Sequence, residues 1–275
     1  MRVAHDAKST AQGPGTQALV RLGFAAQGLV YVIIGLLAAR LAIGDGGATT
    51  DRKGALQAIY EQPFGQFLLG VVAVGLLGYA IWSLVLRAAL DVEGRGTDGK
   101  GVVTRVAFAV IGISYGLLAF GAFKVITGTG GSGKSSDAST QDWTARLLKQ
   151  SYGEPLVILA GAIIIGVALY RFRVAYKASF MKYFEYLGQT AQTWVRRCGR
   201  FGTAAQGFVF AEIGIFLIIA AWKHNAHEAK GMGGSLQQLV HEPYGHALLG
   251  IVALGLIAYG IFGLLQARFR HVPSA

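Results

Sequence analysis

QPFGQFLLGVVAVGLLGYAIW, Gln62 to Trp82, recurs as EPYGHALLGIVALGLIAYGIF, Glu242 to Phe262, and in a more diverged form as QSYGEPLVILAGAIIIGVALY, Gln150 to Tyr170. Each copy is a polar break ending in Gly, then an apolar run close to the ~20 residues a helix needs to cross hydrocarbon. Self-similarity at a fixed spacing marks a tandem architecture. The rest of the chain is therefore read around these copies.

Six apolar segments emerge: Leu22 to Ile43, Phe67 to Leu86, Val106 to Ile126, Leu156 to Tyr170, Phe201 to Trp222 and Ala247 to Leu265. The fourth is short, so it tilts little, thins the bilayer or begins before Pro155. Composition agrees with a membrane protein. Hydrophobic residues make up 53% of the chain and charged residues 14%, where a soluble domain carries roughly a quarter. Glycine, at 40 of 275 residues, suits helices whose backbones approach closely in lipid. The net charge of +11 sits between the apolar runs, which reads as a topology signal rather than a nucleic-acid surface. A single cysteine, Cys198, excludes an intramolecular disulfide.

Lys and Arg concentrate in the N-terminal stretch with Arg21, between Arg87 and Arg105, between Arg171 and Arg200, and after the last segment. That excess predicts both termini in the cytoplasm of a bacterial plasma membrane, with the other connections outside. Met1 to Ala18 has no apolar core of a signal peptide and reads as a disordered tail. The basic, aromatic stretch 178–197 reads as an interfacial linker on anionic lipid, in preference to a nucleic-acid surface.

The odd segments open on RLGFAAQGLVY (Arg21 to Tyr31), RVAFAVIGISY (Arg105 to Tyr115) and RFGTAAQGFVF (Arg200 to Phe210). Arg21, Arg105 and Arg200 are placed to anchor head groups, and the shared Gly predicts a close helix crossing. Before each even segment comes a short amphipathic stretch: GALQAIYEQPFG, DWTARLLKQSYG and GSLQQLVHEPYG. Leu56, Ile59 and Tyr60 match Leu236, Leu239 and Val240, one apolar stripe that faces either the interface or the bundle.

These motifs resemble a bacterial family of multi-pass membrane proteins known as domain of unknown function 1206, built from a tandem two-helix unit with a P-[FY]-G lead-in. The resemblance covers Val20 to Arg270; the middle copy departs with Ser151 for proline and Ile163 where Gly75 and Gly255 stand. It implies a fold and no activity. The expected architecture is all-α: an integral membrane six-helix bundle of three tandem hairpins with pseudo-threefold symmetry. The tail covers 1–18, repeat 1 covers 19–90, repeat 2 covers 104–177, the linker 178–197 and repeat 3 198–270.

Gly128 to Ser135 spells G-x-x-x-x-G-K-[ST], but a phosphate-binding loop needs a strand before it and a helix after it. An apolar helix precedes this one and the polar SDAST follows, so it reads as a linker. Glu212 is the notable residue: it lies inside the fifth segment, where the other repeats carry Ile33 and Leu117. A charge there costs about 3 kcal/mol on insertion scales and marks either an ion path or interhelical glue. Tyr31, Ser114, Tyr115, Tyr79 and Tyr259 are its candidate partners. Arg40 and Lys124 read as snorkelling cations. His224, His227, His241 and His246 match no tight metal signature, so no metal and no cofactor are expected.

The functional reading is a non-enzymatic bundle with a structural or interaction role, binding lipid, another membrane protein or a second copy of itself. The alternative is a small-solute or proton transporter or channel that uses Glu212.

Overall fold

The computed structural model describes residues 14–44, 51–84, 99–129, 136–184 and 187–270. Six helices are long and apolar enough to cross a membrane: α1 (Pro14–Ala42), α3 (Gly65–Ile81), α4 (Gly99–Ile126), α6 (Gly153–Lys177), α7 (Gln189–Trp222) and α9 (Gly245–Phe269). Three short helices, α2 (Arg52–Tyr60), α5 (Ser136–Leu148) and α8 (Met232–Leu239), lead into α3, α6 and α9. The chain is an all-α, multi-pass membrane bundle of three hairpins, as its repeats require. The bundle has a short-helix end and, opposite, a basic end.

Two boundaries differ from the sequence reading. α1 begins at Pro14, inside the stretch read as a tail, whose residues 1–13 lie outside the described residues. The segment expected to be short becomes α6, 25 residues long and so about 37 Å. It starts before Pro155, whose missing N–H falls in the first turn, where those donors have no helical partner anyway. SDAST is helical too, forming the start of α5. A helix still precedes the P-loop-like run, most of which (130–135) lies outside the described residues.

The seams between repeats are close-packed. α4 packs on α3, α7 on α6, and α1 on α9, so the first long helix of each repeat lies against the second long helix of another. The motif glycine sits at each seam. A methyl group at Gly28 would lie 2.6 Å from the Gly260 carbonyl oxygen, one at Gly112 3.0 Å from that of Ala80, and one at Gly207 3.3 Å from that of Ala168. Within hairpins, α1 packs on α3 and α7 on α9, whereas α4 and α6 make next to no contact. The long helices pack in the order α4–α3–α1–α9–α7–α6, and among the described residues the two end helices make next to no contact.

The short helices turn their apolar stripe into the bundle rather than toward lipid. Leu56 and Ile59 of α2 and Leu236 and Leu239 of α8 are fully buried in the core. Asp51 caps α2, accepting from Gly54 N at 2.8 Å. Asp137 of α5 reaches across to repeat 3 and accepts from Gly231 N and Gly234 N at the start of α8. At the basic end the linker aromatics Phe180 and Phe184 are buried with Val195, Cys198 and Phe262 in a satellite core, while Tyr176 and Trp194 stay exposed. The linker therefore packs partly on protein.

The lead-in to α3 and α9 holds an aromatic residue in the left-handed region, Phe64 at φ 61° and Tyr244 at φ 60°. Both rings are almost fully exposed, at 87% and 90%, where an aromatic belt meets the membrane interface. Such a backbone costs of order 1–3 kcal/mol. Tyr152, in the copy where Ser151 replaces proline, has φ −110° and no such strain. The glycine that follows has no room for a side chain: a Cβ at Gly65 would lie 2.3 Å from the carbonyl oxygens of Ile59 and Tyr60. Gly65→Ala is expected to lower stability by about 1–3 kcal/mol. Gly70→Ala, where a Cβ meets nothing within 4 Å, is expected to be neutral or mildly stabilising. Thermal unfolding in detergent checks both.

Candidate functional site

Four tyrosines named from the sequence converge at the centre of the bundle, but around arginine rather than glutamate. Tyr31 of α1 meets Tyr259 of α9 edge-on, ring centroids 4.8 Å apart. Tyr79 of α3 meets Tyr115 of α4 at 4.7 Å. The two pairs are equivalent in the repeat. Their third counterpart is Phe210 of α7 with Val167 of α6, and there Arg171 lies over the Phe210 ring at 5.8 Å.

Between the pairs sits Arg52, the first residue of α2, carried inward by the buried stripe of that short helix. Its Nη2 donates to the Tyr31 hydroxyl at 2.7 Å, and its guanidinium lies 5.5 Å from the ring centroids of both Tyr31 and Tyr115. Gln206 Nε2 approaches the same hydroxyl at 2.6 Å. The Tyr259 hydroxyl is bracketed in the same manner, by Arg171 Nη1 and by Gln27 Nε2, each at 3.3 Å. Each of these tyrosine oxygens thus lies between one guanidinium and one amide. Close packing aims them: a methyl group at Gly202 would meet the Tyr259 backbone at 2.4 Å, and one at Gly23 the Tyr79 Cβ at 2.6 Å.

Two features of this cluster are chemical rather than architectural. Among the described residues neither Arg52 nor Arg171 makes an ion pair, and Asp51, next to Arg52, turns away to cap its helix. Yet guanidinium groups stay charged at any accessible pH. Gln206, only 1% exposed, keeps Oε1 buried without a hydrogen-bond partner. With the amide turned over, Tyr31 donates to Oε1 and two N–H donors are left over instead. In that orientation the unspent capacity is that of a donor set.

The sequence reading missed Arg52, Arg171, Gln27 and Gln206. Arg171 was counted with the basic loop; α6 runs on to Lys177 and turns it inward. The signal was present in the repeat: Arg52 stands where Thr140 and Met232 stand, Arg171 where Ser83 and Gly263 stand, and AAQG is shared by repeats 1 and 3.

Glu212 is not part of this cluster. It is half-buried on α7, accepts no hydrogen bond from any described residue, and leaves Oε2 buried and unpartnered. The charges bearing on it are those of Glu242 and Lys230, at the short-helix end. Of its expected partners, Tyr31 and Tyr115 lie against Arg52, Tyr259 against Arg171 and Tyr79 against the Tyr115 ring, and Ser114 spends its hydroxyl on the Val110 carbonyl at 2.8 Å, on an exposed face. The histidines disperse as well: His224 faces Glu154 at 3.2 Å and His246 the Ala42 carbonyl at 3.2 Å. No three potential metal ligands gather among the described residues.

Of the proposed anchors, Arg21 lines a groove of about 670 Å³ with Leu22, Leu264 and Arg268 at the basic end. Arg200 lines the repeat-equivalent groove of about 570 Å³ with Phe172, Tyr176 and Arg197. Arg200 also donates through Nε to the Ala175 carbonyl near the end of α6 at 3.1 Å. Arg105 is half-buried at the start of the apolar part of α4.

The sequence profile of Domain of Unknown Function (DUF1206) matches the chain three times, over residues 22–91, 106–178 and 201–270. These matches coincide with the three hairpins. The chain belongs to the DUF1206 family. It is 35% identical over 254 residues to the uncharacterized protein YxxB of Bacillus subtilis (strain 168), covering 92% of this chain and 90% of the relative. No solved structure matches it. The family thus supports the three repeats, and the polar cluster has to be interpreted from its own geometry.

Glu212→Leu is expected to keep or raise the thermal midpoint in detergent, because no hydrogen bond is lost and a buried unpartnered oxygen disappears. A clear drop would restore Glu212 as interhelical glue.

Proposed function

We propose that this DUF1206 chain is a non-enzymatic membrane protein that binds an anionic group at the Arg52–Arg171 tyrosine cluster. One observation carries the reading: two permanent cations share a single set of tyrosines inside an apolar bundle, and among the described residues no carboxylate pairs with either. Removing an ion from water costs several kcal/mol even after relaxation, and like charges add to that cost. Tyrosine oxygens and ring faces offset part of it. A bound phosphate or carboxylate offsets the rest, and guanidinium geometry matches either one.

The cluster offers donors and ring faces, with no nucleophile–base pair among its residues, which favours binding over chemistry. Both cations stand where the other repeats carry uncharged residues, so they are specific to their own positions and not part of the shared scaffold. A second reading, movement of a small solute or proton past Glu212, draws on one observation, its buried unpartnered oxygen. Flux into vesicles that Glu212→Gln abolishes would carry it.

Inorganic phosphate titrated into the detergent-purified chain is expected to raise its thermal midpoint, by about 2.7 kcal/mol of stabilisation at a hundredfold excess over Kd. Arg52→Gln and Arg171→Gln should lose that response. No shift with phosphate, sulfate or acetate would overturn the reading. For the setting, the arginine excess at one end supports a bacterial plasma membrane with both termini in the cytoplasm. A fluorescent protein fused at the C-terminus should then glow, and a periplasm-dependent phosphatase fused there should stay inactive.

A further inference from the structure

We propose that the ligand of the guanidinium–tyrosine cluster is an amphiphile with an anionic head group, admitted sideways from the bilayer between α4 and α6. The proposal rests on the anion-binding reading and goes beyond it in naming the ligand's class and route. In repeats 1 and 3 the two long helices of the hairpin pack on each other. In repeat 2, α4 leans on α3 and α6 leans on α7, and among the described residues the two make next to no contact with each other, which leaves an opening between them.

That opening leads to the cluster. Arg171 belongs to α6 and Tyr115 to α4, the helices at the two ends of the row. Val167 is 40% exposed, although its repeat counterpart Tyr79 is only 9% exposed. Both arginines retain accessible surface despite their central position. A route between α4 and α6 would therefore end at cations that a head group can touch.

The exposed surface of both helices is apolar: Ile113, Leu117 and Phe120 on α4, Leu159, Ile163 and Val167 on α6. A hydrated anion entering from the bilayer between such helices would shed water before the guanidinium groups replace it, which disfavours this route for a free ion in a membrane but not its binding to the protein in detergent. An acyl chain rests against these side chains without that loss, while its head group reaches the guanidinium groups. A second copy of the chain would cover the apolar walls but bring no anion. The apolar stretch of α4 has no carboxylate, and α6 has only Glu154, in its first turn at the short-helix end. Charge complementarity selects the anionic amphiphile.

The test uses the full chain in phosphatidylcholine vesicles holding a minor fraction of phosphatidic acid with a diazirine in its acyl chain. After irradiation, labelled peptides are mapped by mass spectrometry. Label is expected to concentrate on α4 and α6 and to fall several-fold in Arg171→Gln. It should fall equally in Val167→Trp, which fills the mouth from an exposed position and keeps the test decisive should Arg171→Gln not fold. Glu212→Gln should label as the wild type does. Label spread over all six long helices, or unchanged in both mouth variants, overturns the proposal. Cross-links between copies through α4 or α6, in place of lipid label, identify a second chain as the occupant and overturn it too. If inorganic phosphate stabilises the protein while phosphatidic acid labels it unselectively, the amphiphile falls and anion binding stands; if both experiments fail, both readings fall.

Discussion

A guanidinium placed inside an apolar bundle has to be hydrated, neutralised or clasped, and much of this fold serves the clasp. Tyr31 and Tyr259 take hydrogen bonds from Arg52 and Arg171, and each of the two hydroxyls is shared with a glutamine. The tyrosines hold position because glycines on neighbouring helices press against their backbones and stems. Small residues at the seams, usually regarded as a means to tight packing, here also fix the direction of polar atoms. That dual use ties the glycine content of the chain to its centre.

The three repeats share a scaffold and divide the labour unequally. Repeats 1 and 3 keep their hairpins closed, their P-[FY]-G lead-ins strained and their AAQG motifs intact. Repeat 2 has given up all three: Ser151 replaces the proline, Tyr152 relaxes, Ile111 stands in place of the glutamine, and α4 and α6 part. Its contribution is a cation, Arg171, and an opening. Divergence within a symmetric array is where a binding site can be added without rebuilding the fold.

The fold was legible because its signals are periodic and physically strong. Apolar runs of membrane length, a recurring glycine and arginine at alternate ends require six helices in three hairpins. The amphipathic stripe of α2 was legible as a pattern, but which side it faced was a packing outcome, and Arg52 travels with that side. Arg171 was hidden by its neighbours: Arg173 and Lys177 make it look like one member of a surface cluster, and only the extension of α6 by two turns reveals it. Glu212 drew the eye because a lone acid in an apolar run is costly, whereas an arginine supplied from a flanking helix leaves no trace in a hydropathy profile. The tyrosines were legible as polar groups inside apolar runs, whereas the arginines that hold two of their hydroxyls were not.

The seam between α1 and α9 brings together the first and last of the six long helices. During synthesis, Tyr31 and Gln27 enter the membrane long before Tyr259 exists to meet them. Arg52 follows shortly afterwards with Tyr31 as its nearest support, and the second half of its surroundings is still inside the ribosome. The polar centre is thus the last feature of the protein to be completed. A chain interrupted between α2 and α9 leaves the Tyr31 that supports Arg52 without its ring partner, Tyr259, and the flank of α1 uncovered.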